Sequence, residues 1–245
     1  MGTRLDKAIK FATEAHSGAF RTGTTIPYIV HPLESLSIAA TLTDDEDVLA
    51  ATVLHDVLED TSTSFAKLAM EFGPRIAILV ASESEKEYAE LPPVEGWERR
   101  KKEAVERIQD ADRDVKIVAF SDKLANLRAI HRDYSEIWEE LWERFDQKDP
   151  LRQLWYYGSF KVILDEFDDL CGSAVCMEYK KKFNEVQTRV QEFLDFGSHG
   201  GHVKVIATPS SNSWVFEDQM SGNIMVVPNT EIRSFCDEIT GQRDL

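Results

Sequence analysis

The chain has 245 residues, enough for one large domain or for one domain with an appendage. Its 42% hydrophobic and 29% charged content is that of a globular protein able to bury a large core. The formal net charge of −16 argues against general binding to nucleic acid or anionic membranes. It leaves room for an anionic small substrate held locally by a metal and a few Arg or Lys.

The N-terminal residues lack a signal-peptide core, and Asp6 breaks the myristoylation pattern. No apolar run approaches membrane-spanning length, so a cytoplasmic protein is expected. Cys171, Cys176 and Cys236 are too few and too irregular for a disulfide framework, and read as free thiols.

Residues 4–18 have the apolar spacing of an amphipathic helix, with Leu5, Ala8, Ile9, Phe11, Ala12 and Ala15 on one side. His16 near its end reads as structural or as support for a site. Gly23 and Pro27 make the stretch from Phe20 to Val30 a shaped loop carrying Arg21, Thr22 and Tyr28. His31 closes that loop, and Pro32 suits the first turn of a helix over 33–42.

The stretch 47–61 reads as one continuous helix. Thr43 and Glu46 form a capping-box pattern, and Leu49, Val53, Leu54, Val57 and Leu58 recur at helical spacing. His55, Asp56, Glu59 and Asp60 crowd its C-terminal end, where carboxylates oppose the helix dipole. A bound cation is the usual compensation for carboxylates beside a buried stripe. A solvated helix end with an incidental His is the alternative at this point.

Two further helices follow, one after Ser64 ending near Gly73 and one opened by Pro74. Residues 83–97 form an acidic loop, and Trp97 to Ala111 a mixed-charge helix. Its basic run, Arg99 to Lys102, reads as a solvated face that can meet an acidic substrate. Residues 114–130 form a long, largely buried helix in which Asp122 and Asn126 sit four apart. Helices rich in Trp, Phe and Tyr continue to 197, and Trp155, Tyr156 and Tyr157 read as core. The Gly-rich run 196–202 reads as a linker to short β-like runs at 202–208, 213–216 and 223–227.

His31, the pair His55-Asp56, and Asp122 make an ordered nitrogen and oxygen donor set. Such a set suits Mn²⁺, Fe²⁺ or Zn²⁺ better than Ca²⁺ or Mg²⁺. The order is that of the HD-domain metal-dependent phosphohydrolases. The segments Arg-x-Gly-Thr-x-x-Pro-Tyr-Ile-Val-His-Pro, His-Asp-Val-Leu-Glu-Asp-Thr and Asp-Lys-Leu-Ala-Asn-Leu-Arg resemble the hydrolase domain of RelA/SpoT-type alarmone enzymes and their small stand-alone relatives.

The resemblance implies an all-α HD-domain helical fold over 1–197; the tail over 198–245 has no counterpart in it and reads from its β-like runs as a small β-containing appendage. The resemblance also implies one Mn²⁺ per chain on His31, His55, Asp56 and Asp122. Glu59 and Asp60 would handle the attacking water, and Arg21, Tyr28, Lys123 and Asn126 would line the nucleotide and phosphate pocket. The implied reaction removes the 3′-pyrophosphate of guanosine tetra- or pentaphosphate. The implied partner is an anionic nucleotide, without nucleic acid or membrane, and the tail can serve as a homo-oligomerisation arm.

Thr22 stands where the alarmone hydrolases usually carry Lys, and Ala129 where they usually carry Thr. These departures keep two rivals open. One is an HD phosphatase acting on a nucleoside monophosphate or the 2′-phosphate of NADPH. The other is a non-catalytic metal- or ligand-sensing module.

Overall fold

The computed structural model describes residues 3–85, 88, 90–167, 170–199, 203–205, 213–218 and 223–228. Within them the chain runs through α1 (Arg4–Ala15), α2 (Val30–Ala39), α3 (Glu46–Val53), α4 (Val57–Asp60), α5 (Phe65–Phe72), α6 (Pro74–Glu83) and α7 (Pro93–Gln109). It continues through α8 (Arg113–Ile137), a 3₁₀ segment (Trp138–Arg144), α9 (Pro150–Glu166) and α10 (Ala174–His199). Strands β1 (Val203–Val205), β2 (Ser213–Asp218) and β3 (Ile224–Pro228) form an antiparallel sheet in that order.

Local chemistry sets the helix starts. Thr3 and Asp6 cap α1 reciprocally, in a capping box. The cap of α3 is Asp45, not Thr43. The Asp45 carboxylate accepts from the N–H groups of Asp47 and Val48, while Thr43 Oγ1 accepts from the Asp45 N–H in the preceding turn. Arg75 explains the choice: its guanidinium donates to Asp45, Asp47 and Asp114, pinning the N-termini of α3 and α8 to α6.

The expected continuous helix over 47–61 is broken. The Val57 N–H bonds the carbonyl of Leu54, and the His55 N–H that of Thr52, so the α register is lost for one turn before α4 begins. The α register resumes at once, since the Asp60 N–H bonds the Asp56 carbonyl at 2.9 Å. Helix α2 starts earlier than the sequence suggests, because the preceding loop is closed by bonds from Arg21 to Ile26 and from Tyr28 to Ala19. His31 therefore lies in its first turn. Helix α7 likewise starts at Pro93, with Gly96 inside it, and α10 continues through 196–199 where a linker is expected. Residues 200–202 lie outside the described residues.

Two apolar cores meet along α8. One gathers Ala8, Ala12, Val48, Val53, Leu54, Leu68 and Ile76 with Ile117 and Val118 from the start of α8. The other gathers Phe120, Leu124, Leu127 and Tyr134 of α8 with Trp142, Phe160, Tyr179 and Val190. Full burial of a side chain such as Leu54 or Phe120 contributes about 1.5–3 kcal/mol, so both cores hold α8 firmly. Asp122 stands on α8 between Phe120 and Leu124 of the second core. Met225 of β3 packs against the second core. No helix among the described residues is long and apolar enough to cross a membrane. Cys171 and Cys176 are free thiols, and Cys236 lies outside the described residues.

Candidate metal centre and adjoining cavity

Three pieces of chain deliver four side chains to one point: the first turn of α2 (His31), the break between α3 and α4 (His55 and Asp56), and mid-α8 (Asp122). His31 Nε2 lies 3.0 Å from Asp122 Oδ1 and 3.2 Å from His55 Nε2. His55 Nε2 lies 2.9 Å from Asp56 Oδ2 and 3.4 Å from Asp122 Oδ1. Asp56 Oδ2 is 3.5 Å from His31 Nε2.

Two donor atoms each about 2.1 Å from a common cation, at octahedral or tetrahedral angles, are about 3.0–3.4 Å apart. The observed spacings fit that value. The tautomer fits as well, since His55 Nδ1–H donates to the Thr52 carbonyl at 2.7 Å and leaves Nε2 facing the cluster with its lone pair. His31, His55 and Asp122 are all buried and can hold a metal ion; Asp56 is half-buried at the open side.

The surrounding residues hold this geometry. Tyr28 donates to Asp56 Oδ2 at 2.8 Å, and the ring of buried His16 stacks on Tyr28 with centroids 4.7 Å apart. Asn126 donates to Asp122 Oδ1 and in turn accepts from Arg21, both at 2.7 Å. Lys123 donates to Asp122 Oδ2 and lies 3.7 Å from Glu83.

Burial opposes every charge here, and the partners decide the outcome. Burial would raise the Asp56 carboxyl, but His55 and His31 hold it below the usual carboxylate range. Burial likewise opposes ionisation of Asp122, yet Lys123 and both imidazoles hold it well below. Burial would discharge Lys123, and Asp122, Tyr156 and Glu83 reverse the sign. The buried carboxyl of Glu83 is pushed up, and its Oε1 has no hydrogen-bond partner among the described residues.

Glu59 and Asp60 sit on α4 at the exposed rim of the cluster. Glu59 keeps open surface, but protein crowds most of its surroundings. That desolvation pushes its carboxyl above the usual range, against the Glu85 N–H that donates to it. Asp60 is within hydrogen-bonding reach of the Tyr28 hydroxyl.

Beside the cluster opens a cavity of about 340 Å³. His31 and Asn126 line it together with Arg21, Thr22, Thr24 and Ile26 of the loop, Trp97, Arg100 and Lys101 of α7, and Ala129 and Arg132 of α8. Arg144, Tyr156 and Tyr157 are also in its wall. Five Arg or Lys face three carboxylates (Glu34, Asp133 and Asp146), so the wall is cationic in a chain of net charge −16.

Of the residues expected at a substrate pocket, Arg21 and Asn126 line the cavity, whereas Tyr28 and Lys123 are directed at the carboxylates of the cluster. The basic run divides. Arg100 and Lys101 reach the cavity and pair with Glu85, while Arg99 and Lys102 pair with Glu103 and Glu106 at the surface. Tyr156 and Tyr157, expected as core, are buried and also form cavity wall. Sequence reasoning passed over Glu83, Arg132 and Arg144 entirely. No periodicity or motif marks them, because they reach the site from other parts of the fold.

A helical domain that brings His, His-Asp and Asp from successive helices to one buried point is a domain of the HD class. Residues 8–146 match the family model described as HD domain, and the chain belongs to that family. It is 34% identical over 138 residues to the guanosine-3′,5′-bis(diphosphate) 3′-pyrophosphohydrolase MESH1 of Danio rerio, covering 55% of this chain and 73% of that protein. The human protein of that name is 35% identical over 143 residues, covering 56% of this chain and 75% of its own length. Among solved structures, a metazoan SpoT ortholog described as hydrolysing ppGpp superposes with a TM-score of 0.58 at 23% identity. It covers 76% of this chain and 96% of its own, and shows the fold. The protein lmo0812 of Listeria monocytogenes EGD-e gives 0.56 at 28% identity, covering 66% of this chain and 99% of its own.

Proposed function

We propose that this protein is a metal-dependent phosphohydrolase that removes the 3′-pyrophosphate of guanosine tetra- or pentaphosphate, with Mn²⁺ on His31, His55, Asp56 and Asp122. The observation that carries the reading is the junction of two features. A buried donor set with cation-sized spacings opens onto a cationic, aromatic-lined cavity in a strongly acidic chain. The names borne by the related pyrophosphohydrolases support the choice of substrate.

When bound, Mn²⁺ acidifies water and offsets phosphoryl charge. The chain's own residues do the rest. Glu59, its carboxyl pushed up by burial, accepts the proton of the attacking water, and Asp60 orients that water. The water oxygen bonds the phosphorus attached to O3′, the P–O3′ bond breaks, and O3′ takes a proton. Pyrophosphate leaves, and guanosine 5′-diphosphate or 5′-triphosphate with a free 3′-hydroxyl remains. Arg21, oriented by Asn126, holds phosphate oxygens.

Purified, Mn²⁺-loaded protein should release pyrophosphate from guanosine tetraphosphate in a panel that includes nucleoside monophosphates and NADPH. Inactivity on the alarmone at saturating Mn²⁺ overturns the reading. Turnover of NADPH or a monophosphate instead would assign Thr22 and Ala129, both in the cavity wall, to a different substrate.

A further inference from the structure

The loop after α1 gives the cavity wall the Arg21 guanidinium, held by Asn126, and beyond it the hydroxyls of Thr22 and Thr24. A further positive charge on that side comes from Arg144, the last residue of the 3₁₀ segment. Its side chain lies flat on Gly23, where an added Cβ would come within 2.7 Å of its Cδ and Nε. Gly23 also has φ of +69°, so the position favours glycine twice over, for its backbone and for the room it leaves.

Arg144 Nη1 donates to Asp133 Oδ2 at 2.7 Å, and Arg132 Nε donates to Asp133 Oδ1 at 2.8 Å. One carboxylate is thus shared by two guanidinium groups, with Glu136 and Asp146 also in the neighbouring walls. A planar guanidinium fixed on one side and open on the other matches the fork of a phosphate.

We propose that Arg144 is a specificity-determining residue that receives the uncleaved 5′-diphosphate of the nucleotide, held in place by Gly23 and Asp133. The assignment rests on the proposed function. If the 3′-pyrophosphate lies at the His–Asp cluster, the ribose separates it from the 5′-phosphates, which then need a second cationic wall. Arg21 and Asn126 serve the cluster end, and Arg100 and Lys101 share Glu85 on another wall.

Two measurements test this on the full chain. In the first, GDP binding to metal-free protein is followed by calorimetry for wild type, Arg144→Gln and Arg144→Lys. Loss of a charge-assisted contact should weaken binding of GDP to Arg144→Gln by about ten- to a hundredfold, with Arg144→Lys in between. The second is steady-state kinetics of the Mn²⁺-loaded proteins. Arg144→Gln should raise KM for guanosine tetraphosphate by a similar factor and leave kcat within about threefold. The KM effect should vanish on the guanosine 3′-diphosphate that lacks 5′-phosphates.

Gly23→Ala, which displaces the guanidinium without removing it, should reproduce the loss and supplies the readout if Arg144→Gln does not fold. Equal GDP affinity in wild type and Arg144→Gln, no GDP binding by wild type, or a fall in kcat at unchanged KM overturns the proposal. An active wild type with an unaffected Arg144→Gln variant would reject Arg144 alone. Arg144-dependent GDP binding without alarmone hydrolysis would reject the proposed activity and leave the 5′-diphosphate site standing.

Discussion

Asp122→Asn changes one oxygen to an amide and removes one charge from the centre of the cluster. In the wild type, Asp122 Oδ1 accepts from Asn126 at 2.7 Å and stands 3.0 and 3.4 Å from the Nε2 atoms of His31 and His55. Its Oδ2 accepts from Lys123, whose other anionic neighbour, Glu83, is 3.7 Å away. An Asn can keep the bond from Asn126 only by turning its own NH₂ toward the Lys123 ammonium. Removing one partner of a buried pair costs about 3–5 kcal/mol, and the retained bond places this variant near 3. For a chain of this size each kcal/mol is worth roughly 2–4 °C, so metal-free Asp122→Asn should melt about 6–12 °C below wild type. Calorimetry with chelator present measures this directly. A second scan with Mn²⁺ at a hundred times its Kd should raise wild-type stability by about 2.7 kcal/mol and leave the variant unmoved. A metal-free melting point within about 2 °C of wild type, or an equal Mn²⁺ response, would refute the reasoning.

Glu59→Gln and Asp60→Asn keep shape and remove the carboxylates at the rim. Both should retain one metal equivalent by elemental analysis, while kcat of Glu59→Gln falls by roughly 10²-fold or more; unchanged kcat in both and in the double variant would give the pair another job. Glu83 supplies a pH test. Burial pushes its carboxyl above the ordinary value of 4.5, Lys123 pulls the other way, and Asp122 adds to the rise. The folded chain therefore holds a proton that the unfolded chain has lost. The stability associated with Glu83 falls as pH rises from about 4.5 through the raised value. Metal-free Glu83→Gln cannot lose that proton, so its melting point should gain on wild type as pH rises from about 4 to 7; a difference that stays flat would remove the argument.

The donor types and their order were legible in the sequence, and so were most helices. Helical spacing, caps and the punctuation of Gly and Pro are encoded by residues three or four apart, which act before any tertiary contact forms. His31, the His55-Asp56 pair and Asp122 could be picked out because each sits in a short segment of distinctive composition. The break at Leu54–Asp56 was not legible, since nothing in its residues opposes a helix. It follows from packing, which turns His55 inward to bond Thr52 and face Asp122. The cap of α3 moved to Asp45 for a similar reason, because Arg75 reaches it from α6. Whether a basic residue meets solvent or a cavity also lay beyond local pattern. Arg100 and Lys101 differ from Arg99 and Lys102 only in the face of α7 that packing turns inward. Arg144 joins Gly23, more than a hundred residues earlier, only once α8 has been fixed between two cores. The chemistry of single residues and their local spacing was therefore decided along the chain. The shape and charge of the cavity were decided where distant segments pack together.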